Sequence, residues 1–316
     1  MTNRPVGVLV MSYGTPKSMD HIEAYYTHIR RGHPPTPEQL AELTARYEAI
    51  VGGVFPLREN TDRQAAGVQA QLDREHPGAY KVYQGLKHAE PFIEDGVKAM
   101  AADGIREAVG IVLAPHYSVM SVGSYIKRAR EAAEAEGIQM AFVESYHLHP
   151  KLIEAIVVRL RSALARFGGP EEQRRVKVLF SAHSLPERIL SMGDPYVDQL
   201  LATSRAAAEA AGVADWEFTW QSAGRTNEPW LGPDILDTLD RLAKEGVKAV
   251  LSAPIGFVSD HLEVLYDLDI EAKQFAAERG IRFERIDMLN DDPLYMETLA
   301  ELAAEAAAGL PVGKRG

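Results

Sequence analysis

The sequence predicts an α/β protein made of two halves, each with a parallel sheet flanked by helices. Short apolar runs alternate along the chain with amphipathic segments rich in Ala, Glu and Arg, an alternation typical of parallel strands joined by helical crossovers. The chain has 316 residues, more than one compact domain usually holds. A short pattern of the first half also recurs in the second.

Eight apolar runs are predicted to be strands. In chain order they are residues 6–11, 80–85, 108–114, 140–144, 176–181, 217–221, 248–253 and 282–286. Helices are expected between them. The proline-dense stretch 31–38 leads into one helix, because Thr36 can cap it and Pro37 can occupy its first position. A last helix is expected near residues 292–308.

An internal echo suggests a duplication. Tyr83-Gln84-Gly85, a long helix and the run 112–115 recur as Trp220-Gln221-Ser222, a long helix and the run 251–254. The offsets are similar, at 137 residues (83 to 220) and 139 residues (112 to 251), although βα units resemble one another in any case. We therefore expect a first half over 1–150 and a second over 151–291, with the boundary near His149-Pro150. The last helix is predicted to close the structure, and the first half is the candidate surface on which it packs.

Charge and composition exclude several classes of protein. The formal net charge of −11 argues against nucleic acid as the main partner, since surfaces that follow a phosphate backbone are basic. Cysteine is absent, which excludes disulfides, thiolate catalysis and iron–sulfur ligation and fits a cytoplasmic protein. The N-terminal apolar run is too short for a secretory signal, and no run approaches the ~18 apolar residues of a membrane span.

The common nucleotide and acyl-transfer motifs are also missing. The sequence contains no G-x-G pair, no P-loop and no HExxH, so the dinucleotide fingerprint and the familiar zinc-protease helix are excluded. Ser222 lies in Trp-Gln-Ser-Ala-Gly, one glycine short of a nucleophile elbow.

Two predicted strands end in side chains that can do chemistry. The run before His183 delivers this histidine into a turn-rich loop, and the first strand ends close to Tyr13. Ligands of open α/β sheets bind at such carboxyl ends. Each residue also has a structural interpretation, His183 as a hydrogen-bonded loop histidine and Tyr13 as a packing residue.

An acidic series follows the seventh predicted strand. If a helix begins near Asp260, then Glu263, Asp267 and Glu271 follow at four-residue steps along one face. Like charges at that spacing repel, so the series suggests a use such as holding or passing a cation. The alternatives are that Glu263 completes a capping box with Asp260, and that the other two form a solvated face.

Basic and aromatic residues share a neighbourhood near the N-terminus. Arg30 and Arg31 follow a Tyr-Tyr pair, and Arg46-Tyr47 comes one helix later. This mixture suits a flat aromatic ligand with carboxylate arms, because Arg binds carboxylates bidentately while rings stack. Surface arginines that cover apolar neighbours are the alternative.

Eight ordered motifs, spread over nearly the whole chain, carry a family resemblance. They are LVMSYGTP (9–16), YYTHIRRG (25–32), RYEAI (46–50), GLKH (85–88), VLAPH (112–116), SAHSLP (181–186), WLGPD (230–234) and GFVSDHLEVLYD (256–267). With them the chain resembles the ferrochelatases, specifically the cysteine-free coproporphyrin ferrochelatases of Gram-positive type.

The resemblance implies two Rossmann-like, chelatase-type halves with a porphyrin cleft between them. It implies that His183 and Glu263 deliver Fe²⁺ and remove protons, and that Tyr13 can ligate the product iron from the opposite face. It assigns contacts with the tetrapyrrole or its propionates to Arg30, Arg46, Tyr47 and Tyr125. A second cation, such as Mg²⁺, is implied at Asp267 and Glu271.

The predicted function is a lyase that inserts Fe²⁺ into coproporphyrin III to give coprohaem, with no organic cofactor. The resemblance further implies a monomer that hands coprohaem to a decarboxylase, and the absence of cysteine fits the cytoplasm as its location. Alternatives are a protoporphyrin IX ferrochelatase, another tetrapyrrole chelatase such as a cobalt, nickel or sirohydrochlorin enzyme, and a non-catalytic haem carrier that binds through Tyr13.

The chain departs from the family pattern in two loops. The loop 51–57 has one extra residue, and Phe55 stands where a propionate-binding serine is expected. The stretch 225–228 also differs from the common approach to the tryptophan motif.

Overall fold

The computed structural model describes residues 4–50, 52–53 and 55–310, and its strands confirm the predicted runs. They are β1 (Val6–Ser12), β2 (Tyr80–Leu86), β3 (Glu107–Val112), β4 (Gln139–Val143), β5 (Lys177–His183), β6 (Trp216–Gln221), β7 (Ala249–Ala253) and β8 (Arg282–Arg285). Each strand end lies within two residues of its predicted position. The apolar runs mark the strands well, above all in the central strands β1, β3, β5 and β7, which are almost entirely buried.

Helices connect the strands. They are α1 (Ile22–Ile29), α2 (Pro37–Ala49), α3 (Pro56–Glu75), α4 (Ile93–Ala102), α5 (Val122–Ala135), α6 (Pro150–Ala165), α7 (Pro170–Arg174), α8 (Arg188–Ser191), α9 (Tyr196–Ala211), α10 (Ile235–Lys244), α11 (Leu262–Leu265), α12 (Lys273–Glu278) and α13 (Pro293–Ala308). The predicted start of α2 is confirmed: Thr36 and Gln39 form a reciprocal capping box, and Pro37 is the first helical residue.

The strands form two parallel sheets with the same order. The first sheet runs β2-β1-β3-β4 and the second β6-β5-β7-β8, so the echo between the halves corresponds to equivalent strands. The strand order reverses between β1 and β3 in one sheet and between β5 and β7 in the other. In open α/β sheets, ligands bind beyond the carboxyl ends of strands at this switch point.

Contacts between residues divide the chain into two compact units. The first contains the described residues up to Tyr146 together with those from Asn290 onward, and the second contains residues 147–289. The sequence prediction put the boundary near His149-Pro150. Helix α13 packs on α3, β3 and β4 of the first unit.

Each unit has its own apolar core. In the first unit β1 and β3 pack against α4 and α5. In the second unit β5 and β7 pack against α10 and the helical stretch after β7. Helix α13 adds Tyr295, fully buried, whose hydroxyl lies 3.0 Å from that of Tyr146. Within the described residues, no helix is both long and apolar enough to cross a membrane.

Candidate active site

His183 is the last residue of β5. The sequence prediction ended the strand at residue 181 and put His183 in the loop beyond it. The strand continues two residues further because the ladder with β6 extends as far as Gln221. The Ser184 amide donates to the Gln221 carbonyl at 2.8 Å, and the Tyr196 hydroxyl donates to the His183 carbonyl at 3.1 Å. These bonds fix the backbone from which the imidazole projects.

Glu263 reaches the same place from β7. The chain after this strand passes directly over β5 at Gly256, whose amide donates to the Ser181 carbonyl at 3.1 Å. A Cβ atom on Gly256 would lie 2.3 Å from the Cβ of Ala182, so only glycine allows this approach. The two strands that flank the switch point therefore supply His183 and Glu263.

The helix that carries Glu263 begins later than expected. Helix α11 starts at Leu262 with His261 at its N-cap, and no side chain caps it. The interpretation of Glu263 as the partner of an Asp260 cap is therefore wrong. Asp260 instead lies 3.2 Å from Arg285, because the buried guanidinium attracts its carboxylate.

His183 and Glu263 form an ion-pair contact. Nε2 of His183 lies 3.3 Å from Oε1 of Glu263, and both side chains are about one-third exposed, at 33% and 32%. Burial alone lowers the pKa of His183, but the Glu263 carboxylate and the Ser184 carbonyl outweigh it and raise this pKa to about 9. Burial alone would raise the pKa of Glu263, but His183 and His261 hold it well below its usual range. At neutral pH the pair is therefore an imidazolium and a carboxylate.

His261 is a site residue that the sequence prediction missed. Its Nε2 atom lies 3.2 Å from Oε2 of Glu263, and its Nδ1 atom lies 2.9 Å from the Ser259 carbonyl oxygen. A carbonyl oxygen can only accept, so Nδ1 carries a hydrogen. Glu263 thus lies between two imidazoles, with His183 at Oε1 and His261 at Oε2. The signal in the sequence was the proximity of His261 to Glu263.

Buried polar and aromatic residues surround this group. Gln221 accepts a hydrogen bond from Ser181 at 2.9 Å and donates one to the Glu263 carbonyl at 3.2 Å. The ring centroids of Trp230 and Phe257 lie 6.4 and 6.5 Å from that of His183. The histidine is therefore bordered by flat apolar surfaces on which an aromatic ligand can lie.

The acidic series does not lie on a regular α-helix. Residues Asp267–Ala272 form a π-helical segment, in which the Glu271 amide donates to the Tyr266 carbonyl five residues back at 2.9 Å. The expectation of even four-residue steps on one face is therefore wrong. Asp267 is buried and accepts a 2.5 Å hydrogen bond from Ser222, whereas Glu271 is exposed. Asp267 also helps to raise the pKa of His183.

Ser222 is not a nucleophile of the elbow type. It follows β6 with φ of 58°, in the left-handed region that non-glycine residues rarely adopt. Its hydroxyl faces the Asp267 carboxylate, which orients this acid. Ser222 is thus a polar partner of the acidic series, and no sequence motif indicated this role.

In the first unit, Tyr13 directly follows β1. Its side chain is exposed, at 41%, and its ring centroid lies 4.6 Å from that of His88. His88 in turn lies 2.9 Å from His28, Nδ1 to Nδ1. Burial and the nearby Lys87 lower the pKa of His88 to about 3, so this imidazole stays neutral beside the Tyr13 ring.

The other predicted residues of this unit lie on three helices or their ends. Arg30 follows α1, and its Nε atom donates to the His33 carbonyl at 3.2 Å. Arg46 and the buried Tyr47 lie in α2, and the buried Tyr125 lies in α5.

The loop 51–57, which departs from the family pattern, contains a residue that lies next to Tyr47. Val51 and Val54 lie outside the described residues. Phe55 is the N-cap residue of α3, and its ring centroid is 4.9 Å from that of Tyr47. An aromatic surface thus stands where the family pattern has a hydroxyl.

Lys87 is a second residue that sequence reasoning did not single out. Its ammonium donates to Ser124 at 2.8 Å and lies 4.8 Å from the Tyr125 ring centroid. Burial, with Arg128 and Arg31 nearby, lowers its pKa to about 8. Positive charges crowd at this place, which favours a ligand that brings carboxylates.

No cluster of three or more His, Asp or Glu side chains suited to holding a metal ion is found among the described residues. His183 and Glu263 are thus a two-residue set, which leaves most positions around an ion open.

The fold is similar to that of solved chelatase structures. The sirohydrochlorin chelatase SirB from Bacillus subtilis with Fe³⁺ superposes with a TM-score of 0.62, at 12% identity and 96% coverage of both chains. The cobalt complex of SirB from Bacillus subtilis subspecies spizizenii gives 0.59 at the same identity and coverage. At this identity the similarity shows the fold alone.

The sequence comparisons identify the family. The ferrochelatase family profile matches residues 5–307. A ferrochelatase of Herpetosiphon aurantiacus is 50% identical over 295 residues, which are 92% of this chain and 96% of the relative. Coproporphyrin III ferrochelatase of Bacillus subtilis is 48% identical over 304 residues, 95% of this chain and 97% of the relative. The chain belongs to the ferrochelatase family.

Proposed function

We propose that this protein inserts Fe²⁺ into coproporphyrin III to give coprohaem. The observation that carries the proposal is the His183–Glu263 contact of 3.3 Å at the switch point of the second sheet. Relatives near half identity over nearly the whole chain bear the name coproporphyrin III ferrochelatase.

The reaction exchanges protons for a metal ion. Two pyrrole N–H bonds break, Fe²⁺ binds the four ring nitrogens, and two protons leave. An imidazole and a carboxylate offer nitrogen and hard oxygen ligands that suit Fe²⁺. Because His183 and Glu263 are only two ligands, they can hold the ion while it loses water and can then release it to the ring.

The same residues are suited to remove the protons. Because Glu263 raises the pKa of His183 to about 9, the imidazole is protonated in the free protein at neutral pH, and it must release this proton before it can bind Fe²⁺ or accept a pyrrole proton. His261 extends the group on the other carboxylate oxygen, at 3.2 Å. A proton taken up by His183 therefore has a hydrogen-bonded path through Glu263 to His261. How the two catalytic residues divide metal delivery and proton removal stays a prediction, because coupled groups titrate together.

Residues of the first unit are suited to bind the ring and its carboxylates. Arg30, Arg46 and Lys87 supply cations. Tyr47 and Tyr125, which are proposed to contact the tetrapyrrole, are mostly buried and pack against Phe55 and Lys87. Coproporphyrin carries more propionates than protoporphyrin, so this concentration of cations favours coproporphyrin. Tyr13, with an exposed ring beside neutral His88, is proposed as the ligand of product iron.

The test is anaerobic metallation of free-base porphyrin, followed by the loss of porphyrin fluorescence. We expect the wild type to convert coproporphyrin III faster than protoporphyrin IX. His183→Ala should abolish insertion but keep ring binding, whereas His76→Ala, a control at the end of α3, should match the wild type. A haem carrier would bind both rings without metallating either.

Three further parts of the proposal rest on the family resemblance. Mg²⁺ or another divalent cation is proposed at Asp267 and Glu271, consistent with the exposure of Glu271. A monomeric state and transfer of coprohaem to a decarboxylase are proposed as well. Sedimentation of the pure protein, and coprohaem transfer measured with and without the decarboxylase, would test these two.

A further inference from the structure

Arg285 joins two carboxylates that border the proposed metal-delivery residues. It is the last residue of β8. Its guanidinium binds Asp269 bidentately, at 2.7 and 2.8 Å, and Nη2 also donates to Asp260 at 3.2 Å. Nη1 donates to the Ile286 carbonyl at 2.8 Å. Only 14% of the side chain is exposed, so these contacts are largely shielded from solvent.

The two carboxylates stand at the ends of one segment. Asp260 immediately precedes His261, and Asp269 lies in the π-helical segment two residues after Asp267. Residues 260–269 therefore contain His261, Glu263 and Asp267. A single guanidinium holds this segment at both ends.

The backbone of Arg285 is held in the second sheet. Arg285 pairs with Ser252 of β7 in the sheet, and its carbonyl accepts a hydrogen bond from Arg166 at 3.3 Å. A planar guanidinium fixes the direction of both carboxylates, which an ammonium cannot do. Directed, charge-assisted hydrogen bonds from Arg285 thus fix residues 260–269 relative to the edge of the sheet.

The π-helical segment needs such support. Helices rarely adopt the wider five-residue hydrogen-bond pattern, and where they do it is often at functional sites. Asp269 lies inside this wide turn, and its bidentate contact holds the turn against the sheet. Loss of the contact would let the backbone return to the narrower α-helical pattern, which would rotate Asp267 and Glu271 relative to Glu263.

We propose that Arg285 is a positioning residue for metal delivery, which sets the placement of His261, Glu263 and Asp267 by anchoring Asp260 and Asp269. This inference rests on the proposed function and deepens it. Under this proposal Arg285, which lies outside the site, controls how the site receives Fe²⁺.

Arg285→Lys is the decisive variant, because it keeps the charge but cannot bind both carboxylates in fixed directions. We expect the KM for Fe²⁺ to rise about 10- to 100-fold, the range typical of lost outer-shell contacts, with less than about a twofold change in the KM for coproporphyrin. Asp269→Asn should move the KM for Fe²⁺ in the same direction by a smaller factor. The control is Arg279→Lys, since Arg279 binds Asp240 at 2.9 Å and neither carboxylate of this segment.

Arg285→Met is expected to unfold more readily, because it strands two carboxylates, and it is therefore used only for the melting temperature. If Arg285→Lys and Asp269→Asn lower the melting temperature but leave the KM for Fe²⁺ unchanged, the role of Arg285 is structural only and the inference is overturned. A wild type that inserts no iron would instead refute the proposed function itself.

Discussion

Nε2 of His183 lies 3.3 Å from Oε1 of Glu263, although 80 positions separate the two residues in the chain. The contact depends on the close passage of Gly256 over Ala182, where no side chain would fit. The proposed chemistry therefore depends on a backbone approach as much as on the two functional groups.

The ion pair should stabilise the fold in a defined pH range. The pKa of His183 is raised from 6.5 to about 9, so its contribution is complete below pH 6.5 and is lost as the pH rises through about 9. The pKa of Glu263 is lowered from 4.5, so its contribution is present above pH 4.5 and is lost in acid. We expect the stability lost in Glu263→Gln to be largest between these limits and to shrink above pH 9.

Urea unfolding followed by tryptophan fluorescence can measure this effect, because all three tryptophans lie in the second unit. Glu245→Gln, in an exposed pair with Arg241, is the control and should show little pH dependence. A stability difference that stays constant from pH 6 to pH 10 would contradict the prediction.

Two substitutions of Ser222 separate its hydrogen bond from its backbone strain. Ser222→Ala and Ser222→Gly both remove the bond to Asp267, which costs about 1.5–3 kcal/mol for a charged partner. Glycine also tolerates the positive φ of 58°, so the Ser222→Gly variant should be more stable than the Ser222→Ala variant by about 1 kcal/mol. The same fluorescence experiment measures both, and equal stabilities would show that the backbone is not strained there.

Lys87 should make ring binding sensitive to pH. Because burial and neighbouring arginines lower its pKa to about 8, the ammonium loses its proton as the pH rises past this value and attracts propionates less. We expect the wild-type Kd for coproporphyrin to increase between pH 7 and pH 9. Lys87→Met should bind weakly at both pH values, whereas Lys127→Met, an exposed control on α5, should behave like the wild type. A flat wild-type profile would exclude this role.

Glu271 should affect metal dependence more than maximal rate. Glu271 is exposed, whereas Asp267 is buried, so the Glu271 carboxylate can attract hydrated cations from solvent. We expect Glu271→Gln to change the response of insertion to added Mg²⁺ while kcat at saturating Fe²⁺ changes little. Glu278→Gln on α12 is the matched control. An unchanged Mg²⁺ response would count against a cation site here.

The strands and the central pair could be predicted from sequence for physical reasons. Buried parallel strands are continuous apolar runs, and parallel strands place their carboxyl ends at one edge. His183 ends one such run, and Glu263 follows the end of β7 by about ten residues. Strand ends thus indicated where each residue lies, whereas their joint action was implied by the family resemblance.

The remaining features depend on contacts that sequence patterns do not encode. The π-helical turn is held by Asp269 and Arg285, and local periodicity cannot show which carboxylate a distant arginine will bind. The expected Asp260 cap failed for the same reason, since Arg285 attracts this carboxylate. Lys87 was missed because its unusual pKa arises from burial and from Arg128 and Arg31.

The return of α13 to the first unit has a consequence for how the protein is made. Residues 147–289 are a continuous stretch that emerges from the ribosome before α13, whereas the first unit lacks Tyr295 and its neighbours until the last helix has been synthesised. Domains usually fold as units during synthesis, with the N-terminal one first. Here the later-encoded unit can reach its final structure first, and premature termination near the end of translation would leave the earlier unit with an open core.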